Sequence, residues 1–483
     1  MARRSGALRF WVCVLLLSLL PASDPGTARA ESMGRSFLIV TDIHFNPMAE
    51  PALVNRLVAA PPTAWAGILD SGKEQTPSRY GADTNWPLLR STLRQMKAVL
   101  AHPAFVLVPG DFLAHHFRAK FDAASRDRSD RAYRRFVIAT MRFLAGELER
   151  SFPGTPVLPA IGNNDDACGD YRLRPNGLFL ADTLPIVRSL VGAAAAPGFA
   201  RSWTGYGNYR AGVPGAPGLS LLALNTVFFS PNYRNDCGPA QAADPGHQTL
   251  AWLAGELAAA QRAHRHLWLV YHIPPGIDGY RTGGRGSCPG PIVPMWDEGY
   301  ARPFYALMRR YAGTIRASFA AHTHMDDLRL IGDGRDDFAF VVMTPAVSPI
   351  FGQNPAFRIV NFDADGSLRD ETTYDLANLA QAGAGAPPRW RAEYTFSSSW
   401  RLPRIDLPSL ERLYAMITTE PAGGQRWHDL FAVSSPVYWT RYRHAPGPSR
   451  ADLCATGHVL PDDFRSCWCS EGQAGKIQPS LAR

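Results

Sequence analysis

The 483-residue chain has no Asn-x-Ser/Thr acceptor for N-linked glycans, no internal repeat and no apolar run long enough to cross a bilayer. Its longest such run, "FWVCVLLLSLL" at 10–20, has eleven residues, where a spanning helix needs about twenty. No domain-sized stretch is of low complexity. The 46% hydrophobic and 19% charged residues, with 42 Gly and 40 Pro, describe a folded, loop-rich protein. No Lys/Arg run is dense enough to track a nucleic-acid backbone, so the formal charge of +8 points at most to an anionic substrate or surface. Paired Cys and His at structural-zinc spacing are also missing, which leaves "CWC" at 467–469 without metal partners.

Arg3, Arg4 and Arg9 precede the apolar run, and "ARA" closes at Ala30. That is the pattern of a secretory signal over residues 1–30, and it predicts a mature chain from about Glu31 with no stable membrane anchor. Loss of its four arginines and one aspartate lowers the formal charge from +8 to +5. Cys13 leaves with the signal, and Cys168, Cys237, Cys288, Cys454, Cys467 and Cys469 remain. An even number of cysteines in an exported chain favours disulfides without fixing their pairing. Three of the six lie before residue 300 and three after residue 450, so full oxidation requires at least one bridge from tail to body. These features predict a secreted or periplasmic protein.

A different pattern recurs through the body: a short apolar run that ends abruptly in Asp, Asn or His. It occurs in "SFLIVTDIH" (Asp42, His44), "FVLVPGD" (Asp111), "PVLPAIGNND" (Asn163), "LSLLALN" (Asn225), "HLWLVYH" (His272) and "IRASFAAHTH" (His322, His324). Such runs read as strands buried on both faces. Between them "DRAYRRFVIATMRFLAGELER" and "TLAWLAGELAAAQRA" have helical periodicity, with Leu250, Leu253 and Leu257 on one face. The alternation predicts a layered α/β core, with the polar strand ends gathered in one crevice beyond the carboxyl edge of the sheet. The catalytic body is expected over 31–375. A Gly/Pro-rich connection at 375–390 then leads to a C-terminal helical, cysteine-containing subdomain over 376–483.

Asp, Asn and His are oxygen and nitrogen donors for borderline and hard divalent cations, and there are enough of them for two ions. Zinc is the first expectation, with manganese and iron suited by the same set. A carboxylate such as Asp111 can bridge two cations about 3.5–4 Å apart, and the pair can activate a bridging hydroxide and hold a phosphoryl group for in-line displacement.

The ordered blocks "DIH", "GD", "GNND", "YH" and "HTH" resemble the calcineurin-like metallophosphoesterases over roughly residues 36–365. The resemblance implies a β-sandwich flanked by helices. It implies one metal on Asp42, His44, Asp111 and His324, and another on Asp111, Asn163, His272 and His322. "GDFLAHHF", "HIPPG" and the cysteine-containing tail resemble the acid sphingomyelinase-like branch, in which the position of His115 is associated with protonating the leaving group. His116 reads as a solvated loop residue.

Two departures bear on chemistry. Most of the superfamily has Gly-Asn-His followed by an acidic residue, whereas this chain has Asn164 in the His position, followed by Asp165. An amide cannot supply a proton, which leaves His115 alone as the acid in a catalytic set of His115, Asn164 and Asp165. "YGADTNWPLL" at 80–89 stands where that branch tends to carry a Cys-Asp pair, so one disulfide of the branch is implied to be missing. "GNND" also resembles the endopolyphosphatase block. An alkoxide, with a conjugate-acid pKa not far below ~15.7, needs a proton to depart, whereas a phosphate, with its second pKa at ~6, hardly does. The expected activity is therefore hydrolysis of phosphoanhydride or phosphodiester bonds, with polyphosphate or nucleotide anhydrides favoured. A sphingomyelinase-like lipid phosphodiesterase and a metal-dependent phosphate-binding pseudoenzyme remain as alternatives. Substrate choice falls to loops 45–80, 165–180, 230–247 and 276–300, where Arg172, Arg174, Tyr280 and Arg281 face either anionic groups or solvent.

Overall fold

All six apolar runs that end in a polar residue form strands. A computed structural model describes Met1 and residues 35–238, 244–284, 288–444 and 447–470. Apart from Met1, the expected signal segment lies outside the described residues. Twelve strands occur among the described residues: β1 to β3 (Arg35–Ile39, Val106–Val108, Val157–Pro159), β4 to β9 (Tyr209–Val213, Ala216–Leu224, His266–Tyr271, Ile315–Ala320, Asp327–Gly332, Asp337–Met343) and β10 to β12 (Ala356–Phe362, Leu368–Leu376, Trp390–Thr395). They form two six-stranded sheets, ordered β12-β11-β10-β1-β2-β3 and β4-β5-β6-β7-β9-β8. β1, β2 and β3 run parallel, as do β5, β6, β7 and β9. Antiparallel strands complete the edges.

Aromatic side chains join the sheets. Phe37 on β1 stacks on Phe105 at 4.4 Å, and it meets Trp268 on β6 at 5.4 Å and Phe319 on β7 at 5.7 Å. Phe362 on β10 lies 5.1 Å from Trp268, whose indole N–H donates to the Gly366 carbonyl at 2.8 Å. Rings of this size each bury about 150–250 Å², so the cluster fixes the spacing of the sheets and hence of the loops at their ends.

Helices cover the outer faces. They include α1 (Trp86–Val99), α2 (Asp130–Ser151) and α3 (Pro245–Arg262), whose first turns are capped by Asn85, Ser129 and Asp244. Leu250, Leu253 and Leu257 are buried on one face of α3, as their spacing predicts. Among the described residues no helix is long and apolar enough to cross a membrane.

The sheet continues past residue 376, because β12 pairs antiparallel with β11 and the Gly/Pro-rich stretch is the link between them. The helices that follow among the described residues include α4 (Leu407–Thr419), α5 (Pro421–Phe431), α6 (Arg450–Gly457) and α7 (Pro461–Cys469). They lie against the β8–β9 edge, where Asp326 N–H donates to the Phe431 carbonyl at 2.9 Å and the Thr456 hydroxyl to Asp327 at 3.0 Å. Cys288–Cys469 is the bridge from tail to body required by the cysteine distribution. Cys454–Cys467 closes the tail on itself, and Cys168–Cys237 joins two loops of the body.

One buried cation ties the two sheets together behind the crevice. Arg358 on β10 is fully buried, and its guanidinium reaches Asp326 at 2.6 Å, Glu371 at 3.2 Å and the Met343 carbonyl at 3.3 Å. Removing it would leave two carboxylates without their counter-charge in a dry interior. Arg358→Ala is therefore expected to lower unfolding free energy by about 3–5 kcal/mol, measured as the midpoint shift in urea. A change below about 1 kcal/mol, the range of surface pairs, would contradict this role.

Candidate functional site

Every expected ligand leaves the carboxyl end of a strand. Asp42 and His44 follow β1, Asp111 follows β2, Asn163 follows β3, His272 follows β6, and His322 and His324 follow β7. Asp42, His44, Asp111, His322 and His324 all have left-handed backbones, with φ of 45°, 42°, 55°, 76° and 65°. Such residues cost about 1–3 kcal/mol each and persist where the surrounding fold over-determines them. The two motif glycines allow close approach. A Cβ on Gly110 would meet the Gly162 amide nitrogen at 2.7 Å, and one on Gly162 would collide with the Asp111 carboxylate.

The ligand atoms converge as two groups that share Asp111. His44 Nε2 lies 3.4 Å from Asp111 Oδ2, 3.8 Å from Asp42 Oδ1 and 3.1 Å from His324 Nε2, which is 3.4 Å from Asp42 Oδ1. His272 Nε2 lies 3.2 Å from Asp111 Oδ2, 3.0 Å from Asn163 Oδ1 and 3.2 Å from His322 Nδ1. His44 and His272 each commit Nδ1 to a main-chain carbonyl, Leu113 at 2.9 Å and Pro109 at 3.1 Å, which aims Nε2 inward.

The donor set fits two divalent ions. Asp42 Oδ1 is buried with no hydrogen-bond partner among the described residues, while lone pairs of His44 and Asp111 face it. Burial pushes His44 down to about 4 and His322 down to about 3, so both are neutral nitrogen donors near pH 7. Burial would raise Asp111, but the charge of His272 and hydrogen bonds from His272 and the Asn164 main chain hold it well below the usual carboxylate range. Desolvation of so many converging donors is offset by cations.

The remaining expected residues divide by role. His115 is at the site: its ring stacks on His44 at 4.0 Å, and its Nδ1 is 2.8 Å from Asp83. Asn164 is buried and bonded to Asp111. Asp165, expected with the catalytic groups, is 1% exposed and turned into the backbone. It accepts N–H bonds from Asp111 (3.1 Å), Phe112 (2.7 Å) and Gly162 (2.8 Å), so it fastens the two motif turns together. Asn225 does not join the crevice, because its side chain caps the next turn at Val227 N–H. His116 is an exposed loop residue, as expected.

No family model matches the chain. An acid sphingomyelinase-like phosphodiesterase 3b of Mus musculus is 26% identical over 490 residues, which cover 96% of this chain and 96% of the relative. Acid sphingomyelinase-like phosphodiesterases are its homologues. A cyclic GMP-AMP phosphodiesterase of Mus musculus is 24% identical over 436 residues, covering 85% of this chain and 87% of the relative. Among solved structures, a dimetal phosphatase from Danio rerio covers 70% of this chain and 95% of its own, at 12% identity and a TM-score of 0.39.

Three residues at this site escape a reading of strand ends. Asp83 lies in "YGADTNWPLL" just before α1, beside Asn85, which accepts from Leu88 N–H as the helix cap. Asp83 is 4% exposed and also pairs with Lys120. Burial lowers the basicity of His115, yet the Asp83 bond and charge outweigh it and raise His115 above its ordinary value. Asp170 accepts from Asn163 Nδ2 at 2.7 Å, which points Asn163 Oδ1 toward His272, and the Tyr171 hydroxyl lies 3.4 Å from His322 Nε2. No apolar run precedes Asp83, Asp170 or Tyr171, so periodicity carries no signal for them. Asp170→Ala frees the Asn163 amide to rotate and is expected to weaken metal binding roughly 10- to 100-fold. Chelator competition measures this, with circular dichroism as a control for folding. An unchanged affinity would assign Asp170 to the loop alone.

Proposed function

We propose that this metal-dependent phosphoester hydrolase acts on phosphoanhydride or phosphodiester bonds, with polyphosphate or nucleotide anhydrides preferred, and works in a secreted or periplasmic compartment. The observation that carries the preference is Asn164. Its main-chain N–H donates to Asp111 Oδ1 and its side-chain amide to Asp111 Oδ2, both at 2.9 Å. The residue holds the shared carboxylate and has no proton to give. Three disulfides support an oxidising compartment.

Two divalent ions on the converging donors, zinc, manganese or iron, would polarise the phosphoryl oxygens and supply an activated water. The chain's own residues do the rest. Asp83 accepts from His115 Nδ1–H, and the ring lies at the wall of a cavity of about 420 Å³ that Asp111, Asn163, His322 and His324 also line. Among the described residues of that wall, His115 is the one histidine outside the expected ligand set, and its Nε2 is the proton donor. Transfer of its proton to the departing oxygen breaks the bond to phosphorus, and Asp83 stabilises the ring while it is charged. With one acid in place of two, a leaving group that departs readily as an anion is favoured. The acid sphingomyelinase-like relatives support lipid phosphodiesters as the second reading.

The test compares tripolyphosphate with an alkyl phosphodiester on protein carrying two metals per chain. Tripolyphosphate should turn over faster, and Asn164→His should raise alkyl-diester turnover by about 10²-fold while tripolyphosphate changes only severalfold. Equal changes on both substrates would remove Asn164 as the basis of preference, and a native ratio favouring the diester would move the lipid reading forward. Asp111→Asn should abolish turnover; a phosphate-binding pseudoenzyme would show altered affinity only.

A further inference from the structure

Part of the cavity wall comes from segments of the chain outside the metal motifs. Tyr280, on the short helix Gly279–Gly284, and Phe351 are both exposed, at 56% and 45%, and both open on this cavity. Tyr280 is braced from behind. The Arg443 guanidinium lies over its ring at 4.4 Å from the centroid, and Arg443 is paired with buried Asp452 on α6. Asp452 in turn accepts from the Ser449 N–H and hydroxyl, both at 2.8 Å, as the capping box of α6. The two helices touch closely, since a Cβ on Gly279 would meet Asp452 Cα at 2.8 Å. Cys288–Cys469 anchors the segment after Tyr280 to the end of α7.

We propose that Tyr280, braced by Arg443 and Asp452, is a specificity-determining platform on which a planar, N–H-bearing ring of the substrate, such as a nucleobase, stacks. One ring face carries the guanidinium, and the exposed remainder opens on the cavity. Asp278 lines the same wall; its Oδ1 takes the Arg281 N–H at 2.8 Å, and its carboxylate has further lone pairs for ring N–H donors. Stacking on an aromatic side chain tolerates any base because every base has a π face. A quaternary ammonium group fits less well, because a second cation across the same ring would meet the field of Arg443.

The proposal rests on the cavity being the substrate site of the phosphoester reading, and the experiment separates the two. Tyr280→Ala should raise KM for adenosine triphosphate about tenfold, leave KM for tripolyphosphate within about twofold and leave kcat unchanged. Tyr280→Phe should match the native protein, and Arg443→Gln should fall between. Equal shifts on both substrates, or none on the nucleotide, would overturn the platform. Saturation-transfer NMR with adenosine and with choline on the full chain needs no turnover, so it decides the question even if neither substrate is cleaved. Adenosine binding that disappears in Tyr280→Ala supports the proposal; binding of choline without adenosine overturns it.

Discussion

The Asp111 carboxylate stays ionised in a dry interior only because donors surround it. Asn164 supplies two hydrogen bonds, His44 and His272 bring nitrogens within 3.4 and 3.2 Å, and Asp165 grips the turn on which Asp111 sits. Each donor belongs to a different segment. To bring them to one carboxylate, β1, β2, β3 and β6 must all end at the same level, and the interlocked rings of Phe37, Phe105, Trp268 and Phe362 hold the sheets at the spacing this requires. The left-handed turns and the two motif glycines follow from the same demand for close approach.

Much of this was legible in the sequence because buried parallel strands are written as uninterrupted apolar runs, and a polar residue that ends such a run must go to the sheet edge. Asp42, His44, Asp111, Asn163, His272, His322 and His324 obey that rule. Asn225 shows where it fails: an Asn at a strand end is as well suited to capping the next turn, and local hydrogen bonding took it. Asp83, Asp170 and Tyr171 lie in loops, where position depends on partners up to hundreds of residues away and no periodicity reports it. Disulfide pairing was equally hidden, although the division of cysteines between body and tail required one long bridge.

The C-terminal helices have more than a packing role. They pack against β8 and β9, and Phe431, Tyr438, Tyr442, Asp452 and Ala455 from this region line the cavity that the turns bearing the expected ligands open into. The body and the tail therefore both contribute to the lining of one cavity.

His44 and His324 touch across 280 positions of sequence. Contacts of such range form late, after the loop-closure entropy of the intervening chain has been met. No fragment ending before β7 contains both nitrogens, and no partly assembled sheet can hold them 3.1 Å apart against their strained backbones. A centre that needs both nitrogens is therefore complete only when β1 of one sheet and β7 of the other are both in place.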